Sequence, residues 1–202
     1  MDKNRIPVIT IDREYGAGGR TLAAILSERL DIPYYDRDFV AKTAEESGFD
    51  KEDVEREGEE MSRSSQILDH FLGGTVSYNS SHDRIFEAEK KVILSLAEEP
   101  CILVGRCASN ILREAGKNPL GIYLHAPAGK RLLRAEELGE YGEMKPDKFL
   151  EKHDEQRRTY YKQYTGHEIF DAANYTFCFD TGKVDIPLCA DIVINMLVKK
   201  YE

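Results

Sequence analysis

The sequence predicts an α/β domain in three layers, a parallel sheet of five strands with helices on both faces. Three observations predict it. Short apolar, often β-branched runs recur along the chain, at residues 6–12, 31–36, 100–106, 120–125 and 174–180. Helical patterns follow or separate them, and strands alternating with helices imply a parallel sheet with right-handed crossovers. The turn after the first run is rich in glycine.

That first run, Ile6 to Asp12, leads into Arg13-Glu14-Tyr15-Gly16-Ala17-Gly18-Gly19-Arg20-Thr21. A helix is expected next over residues 22–30, with Leu22, Ile25, Leu26 and Leu30 inward. Strand, glycine-rich turn and helix in this order make an anion site. The first turn of a helix leaves N–H groups without intrahelical acceptors, beside the positive end of its dipole. Gly16, Gly18 and Gly19 let the backbone approach a phosphate closely. The loop departs from the G-x-x-x-x-G-K-[ST] consensus. With Gly19-Arg20-Thr21 laid on its G-K-T ending, Arg20 takes the lysine position and Thr21 the magnesium-facing hydroxyl, while the first glycine becomes Glu14. With Gly16-Ala17-Gly18 laid on a G-x-G spacing, the lysine position is Gly19. In both registers the lysine is missing, and Arg13 and Arg20 are best placed to supply its charge. The competing reading is an ordinary strand-to-helix turn with solvated arginines.

The second strand ends in Asp36-Arg37-Asp38. Ligands of open α/β sheets bind at such carboxyl ends; the alternative for Asp36 is the N-cap of a following helix. Helical pattern covers 39–46 and 51–61, and the polar, Gly- and Ser-rich stretch 62–82 is the candidate mobile insertion. A helix over 83–98 places Ile85, Val92, Ile93 and Leu96 inward. The third strand closes in Gly105-Arg106, where an arginine ending a buried run requires an anionic partner. A short helix over 108–114, the fourth strand, and a basic helix over 126–134 with Lys130, Arg131 and Arg134 follow. Gly139, Gly142 and Pro146 interrupt the pattern before a helix over 149–164. That helix carries Asp154, Arg157 and Arg158, with Tyr160, Tyr161 and Tyr164 at packing spacing. Residues 136–166 together form a lid-like segment. The fifth strand ends in Asp180-Thr181, and a helix over 185–201 closes the pattern.

The chain of 202 residues is expected to form one domain. Its net charge of −9 argues against a nucleic-acid partner and leaves room for a small anion in a locally basic pocket. With no apolar leader and no 18-residue apolar run, neither a signal peptide nor a membrane span is expected. Cys101, Cys107, Cys178 and Cys189 lack C-x-x-C spacing, and the five histidines lack H-x-x-x-H spacing. Reduced thiols in a cytoplasmic protein, and no protein-bound transition metal, are the expectation.

These pieces resemble, in order and along almost the whole chain, the nucleoside monophosphate kinases. Within them they are most similar to the cytidylate kinase-like group. The resemblance is carried by the Arg13–Thr21 loop, Tyr34-Tyr35-Asp36, Val104-Gly105-Arg106-Cys107, Leu124-His125-Ala126-Pro127, Lys130-Arg131 and Arg134. Asp154-Glu155-Gln156-Arg157, Tyr160-Tyr161, Tyr164-Thr165-Gly166 and Asp180-Thr181 complete it. It implies a three-layer P-loop kinase fold with a small helical lid, and ATP-dependent phosphoryl transfer to a nucleoside monophosphate, CMP or dCMP first. ATP and Mg²⁺ are the implied cofactors and nucleotides the implied small-molecule partners. ATP phosphates would sit on Gly16, Ala17, Gly18, Gly19, Arg20 and Thr21, with Arg13 and Arg20 replacing the lysine. Asp36, Arg37, Lys42, Arg106 and Asp154 would serve the acceptor side, and Arg157, Arg158 and Arg131 would close over the transferred group. Against the authentic cytidylate kinases, the family's Gly-Arg-Asp aspartate is here Cys107, and its monophosphate-site Tyr and Arg fall on Ala41 and Lys42. Two alternatives stay open: a catalytically weak nucleotide-binding regulator, and a kinase of another small acceptor.

Overall fold

The strand that carries the glycine loop is the middle of the sheet. In the computed structural model, which describes residues 3–36, 39, 42, 48, 81–137 and 144–201, β1 (Ile9–Arg13) lies between β3 (Ile102–Val104) and β4 (Leu120–His125). β2 (Tyr34–Tyr35) and β5 (Phe177–Asp180) form the edges, giving the order β2-β3-β1-β4-β5, and every pairing is parallel. Ile9 pairs with both Ile102 and Leu120, so the carboxyl ends of the three central strands reach the same edge.

Alternation along the strands sorts the core into two layers. Ile9, Ile11, Ile102, Val104, Ile122 and Leu124 face α1 (Gly19–Leu30) and α6 (Ile186–Tyr201), meeting Leu22, Leu26, Val193 and Leu197. Leu103 and Tyr123 face the opposite way. They pack with Val92 and Ile93 of α2 (Ser81–Leu96), Ile111 and Leu112 of α3 (Ala108–Glu114), and Tyr160 and Tyr161 of α5 (Pro146–Thr165). Helices on both faces are the three-layer α/β arrangement that the alternating pattern predicts. The basic helix is α4 (Ala128–Glu137), which packs on α5.

Boundaries move where local chemistry moves them. α1 begins at Gly19 rather than Leu22, because Gly18 takes a left-handed conformation (φ 92°) as its N-cap and the helix starts inside the glycine loop. α5 begins at Pro146 rather than residue 149, since proline at the first helical position has no amide to leave unpaired. The helix expected over 51–61, Arg37, Ala41 and residues 138–143 lie outside the described residues, as does the helix expected over 39–46 apart from Phe39 and Lys42, both helical; of the insertion expected over 62–82, only Ser81 and His82 are described, and they open α2. Among the described residues no helix is long and apolar enough to cross a membrane.

Candidate active site

The loop between β1 and α1 is held from outside, and α1 starts without a side-chain cap. Glu14 N–H donates to Leu124 O and Ala17 N–H to Glu14 O, which folds the loop back on itself. Thr181 Oγ donates to Ala17 O at 2.8 Å. Two arginines of α4 take the loop carbonyls: Arg131 Nη1 donates to Tyr15 O at 3.1 Å and Arg134 Nη1 to Gly16 O at 2.7 Å. Gly16 has φ +73°, and a Cβ there would stand 2.6 Å from the backbone oxygen of Arg131; only glycine allows α4 to approach so closely. The α1 ladder begins with Leu22 N–H to Gly18 O. The amides of Gly19, Arg20 and Thr21 precede it in the first turn, as an anion site at a helix N-terminus requires.

Arg13, at the end of β1, is buried, and its side chain runs beneath the helix start. A Cβ at Gly19 would meet Arg13 Cγ and Cδ at 3.2 Å and Nε at 3.6 Å. The volume a side chain at position 19 would claim is thus filled by the stem of Arg13. Arg20 points into solvent and forms an ion pair with Asp36 at the end of β2.

Beside the loop, at the carboxyl ends of β1 and β4, is a pocket of about 90 Å³ lined by Arg13, Tyr123, Asp154, Arg157, Arg158 and Phe170. A single water needs roughly 10–15 Å³ of such volume, so the pocket is large enough to admit a small anion. The three pocket arginines and Arg131 outnumber the nearby carboxylates Asp12, Glu14 and Asp154, in a chain of net charge −9. Burial and the charges of Glu14, Asp154 and Asp12 push the Tyr123 phenol well above its ordinary range, so it stays a neutral hydroxyl. The guanidinium of Arg157 lies 5.0 Å above the Tyr15 ring.

Two expected site residues are held by partners within the protein. Arg131 is one of them. It is 8 % exposed and its donors go to Ala126 O, Tyr15 O and Asp154, with Glu14 3.3 Å away. Its position supports the loop from below. Arg106 is the other. It lies just past β3, in left-handed backbone like its neighbours Gly105 and Cys107, and forms an ion pair with Glu89 of α2, which is fully buried and also accepts from Tyr160 OH. The arginine ending a buried strand does have an anionic partner, but the protein supplies it. Lys42 is exposed.

Asp154 is turned to the loop itself. Its Oδ1 accepts from Tyr15 N–H at 2.8 Å and its Oδ2 pairs with Arg131 Nη1 at 2.6 Å. The sequence singled out both Asp154 and Arg131 but not their pairing. Glu14, Arg134, Thr181 and Glu89 were missed as site-forming residues, because their roles rest on contacts between distant parts of the chain. For Arg134 and Thr181 the signal was present, within the basic helix and the Asp-Thr strand end. Among the described residues no group of three or more His, Cys, Asp or Glu is arranged to hold a metal ion.

A family model described as "Cytidylate kinase-like family" matches residues 8–183. No curated protein sequence matches the chain. Among solved structures, an uncharacterized protein from Eubacterium ventriosum superposes with a TM-score of 0.67 at 22% identity, covering 95% of this chain and 98% of that one. A shikimate kinase from Bacteroides thetaiotaomicron gives 0.56 at 14% identity over 95% and 98%. Another from Acinetobacter baumannii, in complex with shikimate, gives 0.54 at 14% identity over 98% and 96%. At these identities the likeness concerns the fold, that of the P-loop kinases.

Proposed function

We infer the reaction from the premise that the chain belongs to the cytidylate kinase-like family: it transfers the terminal phosphoryl group of ATP to a small acceptor, a nucleoside monophosphate in the first instance and CMP or dCMP before others. The observation that carries this reading is the union, at one sheet edge, of the helix start at Gly19–Thr21, which has no side-chain cap, with the three-arginine pocket of Arg13, Arg157 and Arg158.

Phosphoryl transfer needs alignment of donor and acceptor and positive charge around the equatorial oxygens, with little covalent chemistry by the protein. The first-turn amides of α1 bind the ATP phosphates. Arg13, whose stem fills the space at Gly19, supplies the cation that lysine gives in other phosphate loops, and Arg20 is held at the rim by Asp36. Arg157 and Arg158 neutralise the charge that spreads as the bond to the leaving diphosphate lengthens. A monophosphate acceptor, with a second pKa of about 6, is already anionic at neutral pH and needs no strong general base. Mg²⁺ would enter with ATP; the Thr21 hydroxyl, exposed in the first turn of α1, would join the phosphates in holding it, and the ion would offset charge on the transferred group.

One observation favours the alternative of a nucleotide-binding regulator. Arg131 and Arg106 are matched internally by Asp154 and Glu89, which leaves fewer cations for a substrate. Turnover of purified protein with Mg-ATP against a panel of nucleoside and deoxynucleoside monophosphates, with shikimate as a hydroxyl acceptor, separates the readings. ADP formation that depends on a monophosphate and is abolished by Arg157→Ala supports the kinase. ATP binding without turnover on any acceptor supports the regulator.

A further inference from the structure

We propose that the Asp154 carboxylate is a built-in occupant of an anion subsite in the loop, and that a polyphosphate gains full purchase there only by displacing it. The inference rests on the reading of the loop as a polyphosphate site and adds what decides its selectivity. A polyphosphate seated on the first turn of α1 extends along the loop toward Tyr15 and the arginine pocket. There the protein already holds an anion. The two donors on Asp154, a backbone N–H at 2.8 Å and a guanidinium N–H at 2.6 Å, are the kind that grip a pair of phosphate oxygens. The carboxylate is no surface accident, since its side chain is only 11% exposed.

The same stretch of α5 grips the loop through rings. Tyr15 stacks on His153 with centroids 4.7 Å apart and meets Phe149 edge-on at 5.1 Å, with Arg157 over its face. A ligand that expels Asp154 must therefore pull this face of α5 from the loop or slide beneath it. Asp154 acts as a specificity-determining residue: an incoming oxygen pays for its place in electrostatic repulsion unless the carboxylate leaves. Ligands that reach Tyr15 are penalised most, which sets a longer phosphate chain apart from a shorter one.

The test is calorimetric titration of wild type, Asp154→Asn and Asp154→Ala with inorganic tripolyphosphate and with pyrophosphate, with hydrogen exchange at the Tyr15 amide and a thermal melt of each form. The expected result is tripolyphosphate binding tightened at least tenfold in Asp154→Ala, about 1.4 kcal/mol, with a smaller gain for pyrophosphate. The Tyr15 amide should exchange faster in Asp154→Ala and be protected again by tripolyphosphate. Should Asp154→Ala fail to fold, Asp154→Asn, which keeps an acceptor for Tyr15 N–H without the charge, is judged by the same criterion. Wild type that binds tripolyphosphate while neither folded variant binds it tighter overturns the inference and leaves the loop reading standing. No binding by any of the three forms overturns the loop reading, and the inference with it.

Discussion

If Arg13 takes the place of the missing lysine, moving the cation back to position 19 should restore what its removal destroys. A Cβ at Gly19 would stand 3.2 Å from Arg13 Cγ and Cδ, tighter than ordinary van der Waals contact. Gly19→Lys alone therefore forces the Arg13 stem aside by a few tenths of an ångström and sets two cations against each other; activity should fall. Arg13→Ala alone removes the charge and leaves a gap under the helix start. Loss of one preorganised electrostatic group typically costs about 10²- to 10³-fold in turnover. Because the Arg13 stem is buried, stability should also drop, by about 1–2 kcal/mol. In Arg13→Ala/Gly19→Lys the lysine stem enters the vacated space and carries an ammonium to the same place. The double variant should recover at least tenfold of the lost kcat/KM. The assay is coupled ADP release for all four forms with the acceptor that the panel identifies, with ATP titration and a thermal melt of each. A folded double variant no better than Arg13→Ala, or an Arg13→Ala protein with wild-type turnover, would refute the reasoning.

Three further outcomes are expected. Glu89→Gln takes from the buried Arg106 the charge of Glu89, at a cost of about 3–5 kcal/mol; at about 2–4 °C per kcal/mol the melting temperature should fall by roughly 6–20 °C. Replacing both partners by Leu and Met should recover most of it, and a Glu89→Gln protein within about 1 kcal/mol of wild type would contradict the pairing. Gly16→Ala demands a left-handed alanine with its Cβ 2.6 Å from the Arg131 oxygen, so it should lose about 2 kcal/mol or more and weaken phosphate binding, measured by melting with and without tripolyphosphate. Alkali should destabilise the fold from about pH 9. Burial pushes the Cys101 thiol from 9.0 up to about 12, so its contribution is intact below pH 9. Between pH 9 and 12 the unfolded chain ionises while the folded chain does not, and up to about 4 kcal/mol is lost. The buried phenols of Tyr160, Tyr161 and Tyr175, also pushed up chiefly by burial, act in the same direction at higher pH. Urea midpoints across pH 8–10.5 report the slope, and Cys101→Val should flatten its lower part.

The fold was readable because its signals are local. Short apolar runs marked all five strands, of Ile, Val and Leu in the centre and of aromatic residues at the edges; helical spacing marked the layers that cover them, and Ala108–Glu114 was delimited to the residue. Strand ends drew attention to Arg13 and Asp36, and the family resemblance to Asp154 and Arg157. What each charge meets was not readable. Whether Arg131 reaches a substrate or the carbonyl of Tyr15 depends on how α4 settles against a loop more than a hundred residues earlier in the chain. The partner of Arg106 is set likewise, since Glu89 sits on a helix whose pattern shows only that one face is buried. Even the lysine question turned on a through-space relation, the stem of Arg13 against Gly19, that no spacing rule contains.

The central place of β1 also bears on how the protein is made. Its partners Ile102 and Leu120 lie about a hundred residues further on, and at roughly 5–20 residues per second of synthesis they trail it by about 5 to 20 s. Through that interval both edges of a wholly buried strand stand unpaired, the condition under which nascent chains aggregate or recruit chaperones. The glycine loop cannot close until Arg131, Asp154 and Thr181 have also emerged. The nascent chain is thus committed to a late, concerted assembly, and a ribosome that pauses before residue 120 would hold it at its most vulnerable.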